Sequence, residues 1–282
     1  MFPIGLALAS GLTWGSADFV GGLMSRRLPT AIVMVVSQGA GLILTAGLVI
    51  VLGEPRPDAG SLTAGALGGV AGAIGLASLY RGLAVGRMSI IAPTAALSGA
   101  VPVVVGFLQG ERPATLQVVG MAVAGAGVLL AVRTPEPDVS RPGGTGTRGI
   151  GFALLAALFL GLFVTSLDVA GEASPLWASL MVRVVSVPLF IAAALVTVRH
   201  TRRPTGRETA ILAGVGALDN GANVMFAFAA REGLLTIVSV LGSLYPVATV
   251  LLARWFLHER LAPWQVAGIA AAFVGVALIA GG

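Results

Sequence analysis

"GERPATLQVVG" runs from Gly110 to Gly120, and "HERLAPWQVAG" runs from His258 to Gly268. The two stretches are nearly the same text. Sliding Glu111 onto Glu259, an offset of 148, carries Leu130 onto Leu278, and eleven of the twenty aligned positions are identical. Glu111, Arg112, Gln117, Gly120, Ala124 and Gly127 are among them. Upstream the offset drifts to 147, aligning Gly86, Ser89 and Ile90 with Gly233, Thr236 and Ile237. It then drifts to 146, aligning Ile4, Gly5, Ala7 and Leu8 with Ile150, Gly151, Ala153 and Leu154. Small loop insertions account for the drift. The chain is written twice.

What is repeated is apolar. The 282 residues are 56% hydrophobic and 10% charged, and a mean hydropathy of +0.96 is far above what a water-facing surface allows. Leu, Ala, Val and Gly fill stretches of roughly twenty residues, the length that crosses ~30 Å of hydrocarbon at about 1.5 Å per residue. Ten such stretches occur, at Phe2–Met24, Ala31–Leu52, Leu62–Tyr80, Met88–Leu108, Thr115–Val132, Gly149–Ala170, Leu176–Val198, Ala210–Ala230, Leu234–Leu257 and Trp264–Ala280. They are continuously apolar rather than alternating with period two, which predicts helices and not barrel strands.

Five helices per copy is an odd number, so the second copy enters the membrane from the opposite side. The expected fold is all-α: a polytopic integral membrane protein of ten transmembrane helices, arranged as two inverted five-helix repeats. Residues 1–132 form the first repeat, 133–148 a linker and 149–282 the second. The linker text, "RTPEPDVSRPGGTGTRG" from Arg133 to Gly149, is too rich in Pro, Gly and polar residues to bury a core. The first apolar stretch outlasts the ~7 to 15 residue core of a secretory signal and no Arg precedes it, so it is expected to be retained. Charged Glu111–Arg112 and Glu259–Arg260 are expected in the turns before helices five and ten, where they stay in water and fix the helix ends.

Composition also excludes. There is no Cys, hence no disulfide, thiolate metal site or cysteine nucleophile. The net charge of +5 comes from Arg scattered over short loops, which is a poor footprint for nucleic acid. Neither a phosphate-binding Gly-x4-Gly-Lys-Ser/Thr loop nor any Lys is present. The two His, His200 and His258, fall in loops, leaving no buried Ser–His pair or His–carboxylate metal cluster. No cofactor is expected.

With these features in place, the sequence resembles the EamA-type transporters of the drug/metabolite transporter superfamily over nearly its whole length. The resemblance rests on "TWGSADF" (Thr13–Phe19), "LMVRVVSVPLF" (Leu180–Phe190), "SLYPVATVLLARWFLHERLAPWQVAG" (Ser243–Gly268) and the duplicated Glu-x5-Gln-x2-Gly turn. It implies ten helices around a central cavity reached from either side, and small organic solutes such as amino acids, other metabolites or drugs. The copies differ where the family carries a helix-two Arg: Arg183 stands in the second copy, with Ser37 and Gln38 in that neighbourhood of the first. Pro246 likewise aligns with Ser98, between Pro93 and Pro102.

Charge inside lipid is costly and needs a partner, a proton or water. Asp18, Asp168, Arg183 and Asp219 lie inside predicted spans. Asp168 is close enough to a helix end to reach the interface. Asp219 is the deepest; Asn220 follows it, and Asn223 shares its face at i+4. Trp14 and Asp18 are likewise one turn apart. Arg183 stays protonated and must find an anion, either Asp219 or Asp18 in the resting protein or the carboxylate of a solute. An exchangeable pair would let solute and proton compete, and Asp219 released from Arg183 is the expected proton carrier. Proline opens the carbonyl ladder in "GSLYP" (Gly242–Pro246) and "APTAALSGAVP" (Ala92–Pro102), leaving polar backbone that only a cavity or packed protein tolerates. The candidate cavity residues are therefore Trp14, Asp18, Gln38, Tyr80, Ser98, Arg183, Asp219, Asn220, Asn223 and Tyr245. The small residues of "GALGGVAGAIG" (Gly65–Gly75) suit close helix packing.

The expected function is secondary transport of small organic metabolites, as an exporter or exchanger working by alternating access in the plasma (inner) membrane of a bacterium. The lipid bilayer, a small-molecule solute and protons are the expected partners. A non-transporting scaffold or sensor and, less well supported, an intramembrane enzyme are the alternatives. Two lines of reasoning give opposite orientations. Loops after odd-numbered helices hold thirteen Arg against three after even-numbered ones, which by the positive-inside rule puts both termini outside the cytoplasm. The family resemblance implies both termini inside.

Overall fold

The computed structural model describes residues 2–25, 27–85, 94–131, 149–198, 203–257 and 261–282. The expected linker, both His, Glu259 and Arg260 lie outside the described residues, and so does the side chain of Tyr80. Among the described residues the chain is all helix and turn, with no strand. The helices are α1 (Phe2–Ser25), α2 (Thr30–Val51), α3 (Ala59–Val85), α4 (Ala100–Leu108, entered through the 3₁₀ turn Ala96–Gly99), α5 (Thr115–Ala131) and α6 (Ile150–Gly171). They continue with α7 (Pro175–Thr197), α8 (Gly206–Glu232), a ninth helix broken into α9a (Leu235–Gly242) and α9b (Tyr245–Leu257), and α10 (Pro263–Gly281). The break falls at Ser243–Leu244, where "GSLYP" predicts one.

Seven segments are long and apolar enough to cross a membrane: α2, α3, α6, α7, α8, α10 and the run Leu235–Phe256. Three of the ten expected spans fall short of that measure among the described residues. The described part of the fourth (Leu97–Leu108) and the fifth (Thr115–Ala131) are shorter, and α1 mixes Ser10, Thr13, Trp14, Ser16 and Asp18 into its apolar run. The bundle is arranged for lipid. Ile43, Ile50, Leu108, Leu195 and Trp255 are exposed, whereas Gln38, Arg183, Asn220 and Asn223 are buried, the reverse of a soluble protein.

Helix ends carry their own chemistry. Gly53 (φ 62°) and Gly110 (φ 94°) adopt the left-handed conformation just after α2 and α4. In each case the glycine N–H and the next N–H turn back onto the last helical carbonyls: Gly53 to Ile50 and Glu54 to Val49, Gly110 to Phe107 and Glu111 to Gly106. At their N-termini, α7 is capped by Ser174, whose hydroxyl accepts from the Trp177 N–H, and α8 by a reciprocal Thr205–Glu208 box. Asp58 caps α3: the Ser61 hydroxyl first, then the N–H groups of Ser61 and Gly60, hold its carboxyl below the usual carboxylate range. The duplicated Gln has the same kind of task. Gln117 accepts from the Ala114 N–H and Gln265 from the Ala262 N–H, each at 2.9 Å, closing the first turns of α5 and α10.

The long helices pair antiparallel. Along α3, Gly65, Gly68, Gly72 and Gly75 approach Ala170, Ser166, Phe163 and Leu160 of α6 in descending order. In α1, Ser10 donates to the Ala222 carbonyl of α8, and Gly21 lies near Val215. α5 and α10 also cross backbone to backbone. A Cβ on Gly120 would lie 2.8 Å from the Gly275 carbonyl oxygen, and one on Gly127 would lie 2.7 Å from that of Gly268. Because Gly120 aligns with Gly268 and Gly127 with Gly275, the two contacts are copies of each other.

This crossing makes a prediction of opposite signs. Gly127→Ala places a methyl against fixed backbone, including the Ala272 Cα at 2.9 Å, and is expected to cost about 1 to 3 kcal/mol. Two residues away, a Cβ on Gly125 would meet nothing within 4 Å, so Gly125→Ala should be neutral or stabilising by up to about 1 kcal/mol through helix propensity. Thermal unfolding of the two variants in detergent micelles reads the difference.

Candidate functional site

A cavity of 310 Å³ lies within the bundle, at the lower end of the ~300 to 1,000 Å³ range of ligand pockets. Helix periodicity aims its lining side chains. Trp14, Asp18 and Gly22 come from α1 at i, i+4 and i+8; Arg183, Ser186 and Phe190 come from α7 at i, i+3 and i+7. Gln38 enters from α2, Asp219 from α8 and Tyr245 from the start of α9b, while Ser98 comes from the turn before α4. Apolar walls are supplied by Leu76 and Leu79 of α3 and by Leu160, Phe163 and Val164 of α6.

The ion pair sits at the centre. The Arg183 Nη2 donates to Asp219 Oδ2 at 2.5 Å, forming a salt bridge. Its Nη1 donates to Gln38 Oε1, and its Nε donates to Asn220 Oδ1 at 3.4 Å. Gln38 completes the ring, its Nε2 donating to Asp219 Oδ2 at 3.1 Å. Side chains of α2, α7 and α8 are thus tied through one guanidinium that is 5% exposed. Behind it, Asn220 accepts from the Ser179 hydroxyl at 2.7 Å and donates to Thr45. Asn223 accepts from the Trp14 indole N–H at 2.9 Å, and the Trp14 ring rests on Phe226 with centroids 5.5 Å apart.

Of the ten candidate residues, seven line the cavity: Trp14, Asp18, Gln38, Ser98, Arg183, Asp219 and Tyr245. Asn220 and Asn223 are fully buried one layer behind, where they position Arg183 and Trp14. Tyr80 falls outside the described side chains. Asp168 does not reach outward; it is 9% exposed, with the carboxylates of Glu172 and Glu111 as neighbours. Asp219 keeps its arginine, so the condition for its expected role as proton carrier is not met in this conformation. Asp18 has no hydrogen bond or ion pair among the described residues and is open to the cavity.

Sequence reasoning passed over Ser186 and the Phe163 and Phe190 rings, although the first and last share Arg183's helical face. It also read Glu111 as a water-facing turn residue. Arg112 is exposed, but the Glu111 carboxylate turns inward and accepts from the N–H groups of Leu235 at 2.6 Å and Thr236 at 2.9 Å. These are unpaired donors at the positive end of α9a, where a carboxylate is favoured over water. Glu54 makes the matching contact on α7: it accepts from the Ser174 hydroxyl at 2.8 Å, and its carbonyl accepts from the Trp177 indole at 3.3 Å. Both glutamates follow a left-handed glycine and both clasp the start of a second-half helix. A Gly-Glu pair closing an apolar run is the signal that could have found them.

Comparison with known proteins adds the following. The model of the EamA-like transporter family matches residues 1–133 and 147–281. One solved crystal structure of a protein superposes with a TM-score of 0.81 at 15% identity, covering 99% of this chain and 98% of that chain; at this identity the likeness concerns the fold. No curated protein matches the sequence significantly.

The buried pair predicts its own energetics. Asp219→Asn strands a protonated guanidinium and is expected to destabilise by about 3 kcal/mol. Arg183→Met combined with Asp219→Leu should recover more than half of that loss, because no uncompensated charge remains. Thermal unfolding of the two single variants and the double variant tests the coupling.

Proposed function

The chain belongs to the EamA-like transporter family, whose members are multi-pass membrane transporters, and from that premise we propose that it carries small organic metabolites such as amino acids or drugs by alternating access, as an exporter or exchanger in a bacterial inner membrane. The observation that carries this reading is the cavity: a largely apolar hollow into which Asp18, Arg183 and Asp219 are set, within a bundle whose outside is apolar. A scaffold needs no such hollow, and keeping Asp18, Arg183 and Asp219 within the membrane is costly without a task.

The proposed architecture is two inverted five-helix repeats, residues 1–132 and 149–282, joined by a linker at 133–148. Support comes from the antiparallel pairing of α1 with α8 and of α3 with α6, which exchange under a shift of five helices, and from the copied glycine contacts between α5 and α10. In such a repeat the binding site falls near mid-bilayer between the halves. Residues 14, 18 and 22 of α1 and 38 of α2 place the cavity from mid-bundle toward the end away from Glu54 and Glu111. The two glutamate clasps tie the halves together at the opposite end, which we read as the closed one. A proton and a solute are alternative occupants of the Asp18 carboxylate, with Asp219, Arg183 and Tyr245 as its charged and titratable neighbours; their competition supplies coupling to a proton gradient.

The absence of cysteine makes this testable with single introduced thiols in proteoliposomes loaded with a metabolite panel. Ser98→Cys lines the cavity, and its reaction with a membrane-impermeant thiol reagent is expected to cut flux at least tenfold. Ser10→Cys, which is fully buried against Ala222, should not react. Equal flux before and after labelling of Ser98→Cys removes the cavity from the transport path.

A further inference from the structure

The geometry points to an organic monocation, a protonated amine or quaternary ammonium with a compact apolar body, as the solute this cavity takes, with Asp18 as its counter-ion. This rests on the transport reading above and narrows its solute class. The reasoning begins with charge. Three ionisable acid or base side chains line the cavity: Asp18, Arg183 and Asp219. Arg183 is already committed, with each of its three nitrogens donating to a protein acceptor on Gln38, Asn220 or Asp219. Asp219 Oδ2 in turn receives both Arg183 and Gln38. What remains unanswered is Asp18, a carboxylate with no hydrogen bond or ion pair among the described residues. The hollow therefore offers one surplus negative charge.

An anionic solute would have to pull Arg183 from its buried partners and then lie beside two carboxylates, both of which oppose binding. A zwitterion meets the same obstacle with its carboxylate half. A cation meets a free carboxylate that is exposed at the hollow and attracts opposite charge. The walls agree with that charge. Trp14 stands one turn before Asp18 on the same helical face, and Tyr245, Phe163 and Phe190 also line the hollow; aromatic faces attract ammonium groups when water is excluded. Trp14 is pre-set for this, since its indole N–H is bonded to Asn223 and its ring is propped on Phe226. Ser186, a lining residue that is 2% exposed, also carries a hydroxyl without a hydrogen-bond partner.

Four probes sharing one ring separate the charge classes: phenethylamine (cation), 2-phenylethanol (neutral), phenylacetate (anion) and phenylalanine (zwitterion). Calorimetric titration of the purified full chain in detergent is expected to show phenethylamine binding at least tenfold tighter than 2-phenylethanol, with the other two weaker than phenethylamine. Asp18→Asn should abolish the amine's advantage over 2-phenylethanol, with thermal unfolding of the variant in detergent reporting an intact fold; Asp18→Glu should restore the advantage. Tighter binding of phenylacetate or phenylalanine overturns the assignment, as does a tenfold amine preference that survives Asp18→Asn, or no amine binding at millimolar concentration. Flux of the same probes in proteoliposomes separates this from the transport reading. Amine binding without amine flux upholds the charge assignment and counts against transport, whereas phenylacetate flux upholds transport and overturns the charge assignment.

Discussion

A guanidinium cannot be left alone in an apolar bundle, and the fold is arranged around that fact. Arg183 draws Gln38, Asp219 and Asn220 to itself, and with them the middles of α2, α7 and α8. Asn220 then needs Ser179 and Thr45, so one buried charge propagates into a polar seam across three helices. Such seams fix register where hydrophobic contact alone would let apolar helices slide. The same arrangement makes the cavity asymmetric in charge. By tying up Asp219 on one wall, it leaves Asp18 across the hollow as the group that must find its partner from outside.

The duplicated stretch around Glu111 shows three separate physical tasks carried by one short motif. Glutamate reaches across to the start of α9a. Glutamine closes the first turn of its own helix. Glycine lets α5 and α10 touch backbone to backbone. A motif spaced Glu-x5-Gln-x2-Gly is thus a joint, in which a turn, a cap and a crossing must follow in fixed order.

The helices, their number and the broken ninth span were legible because long apolar runs and proline have few other readings in lipid. Asp18, Gln38, Arg183 and Asp219 were legible because charge and amide are conspicuous there. Phe163, Phe190 and Leu160 were not: an aromatic or aliphatic side chain in an apolar helix looks the same whether it faces lipid, a neighbour or a hollow. Which acid takes the arginine was also hidden, since Asp18 and Asp219 are equivalent in the text and only the packing of α7 against α8 decides between them. Glu111 was misjudged because charge near a span end ordinarily points to water, and the unpaired N–H groups of α9a become visible only once α4 and α9a lie side by side.

Glu54 and Glu111 fasten their helix starts differently: Glu111 holds main-chain N–H groups of α9a, whereas Glu54 holds a capping hydroxyl with its carboxylate and an indole N–H with its carbonyl at the start of α7. Every residue except proline presents a main-chain N–H. The fastening on α9a therefore needs no particular side-chain chemistry at positions 235 and 236, and it is the packing of this fully buried helix, not the glutamate contact, that constrains what stands there.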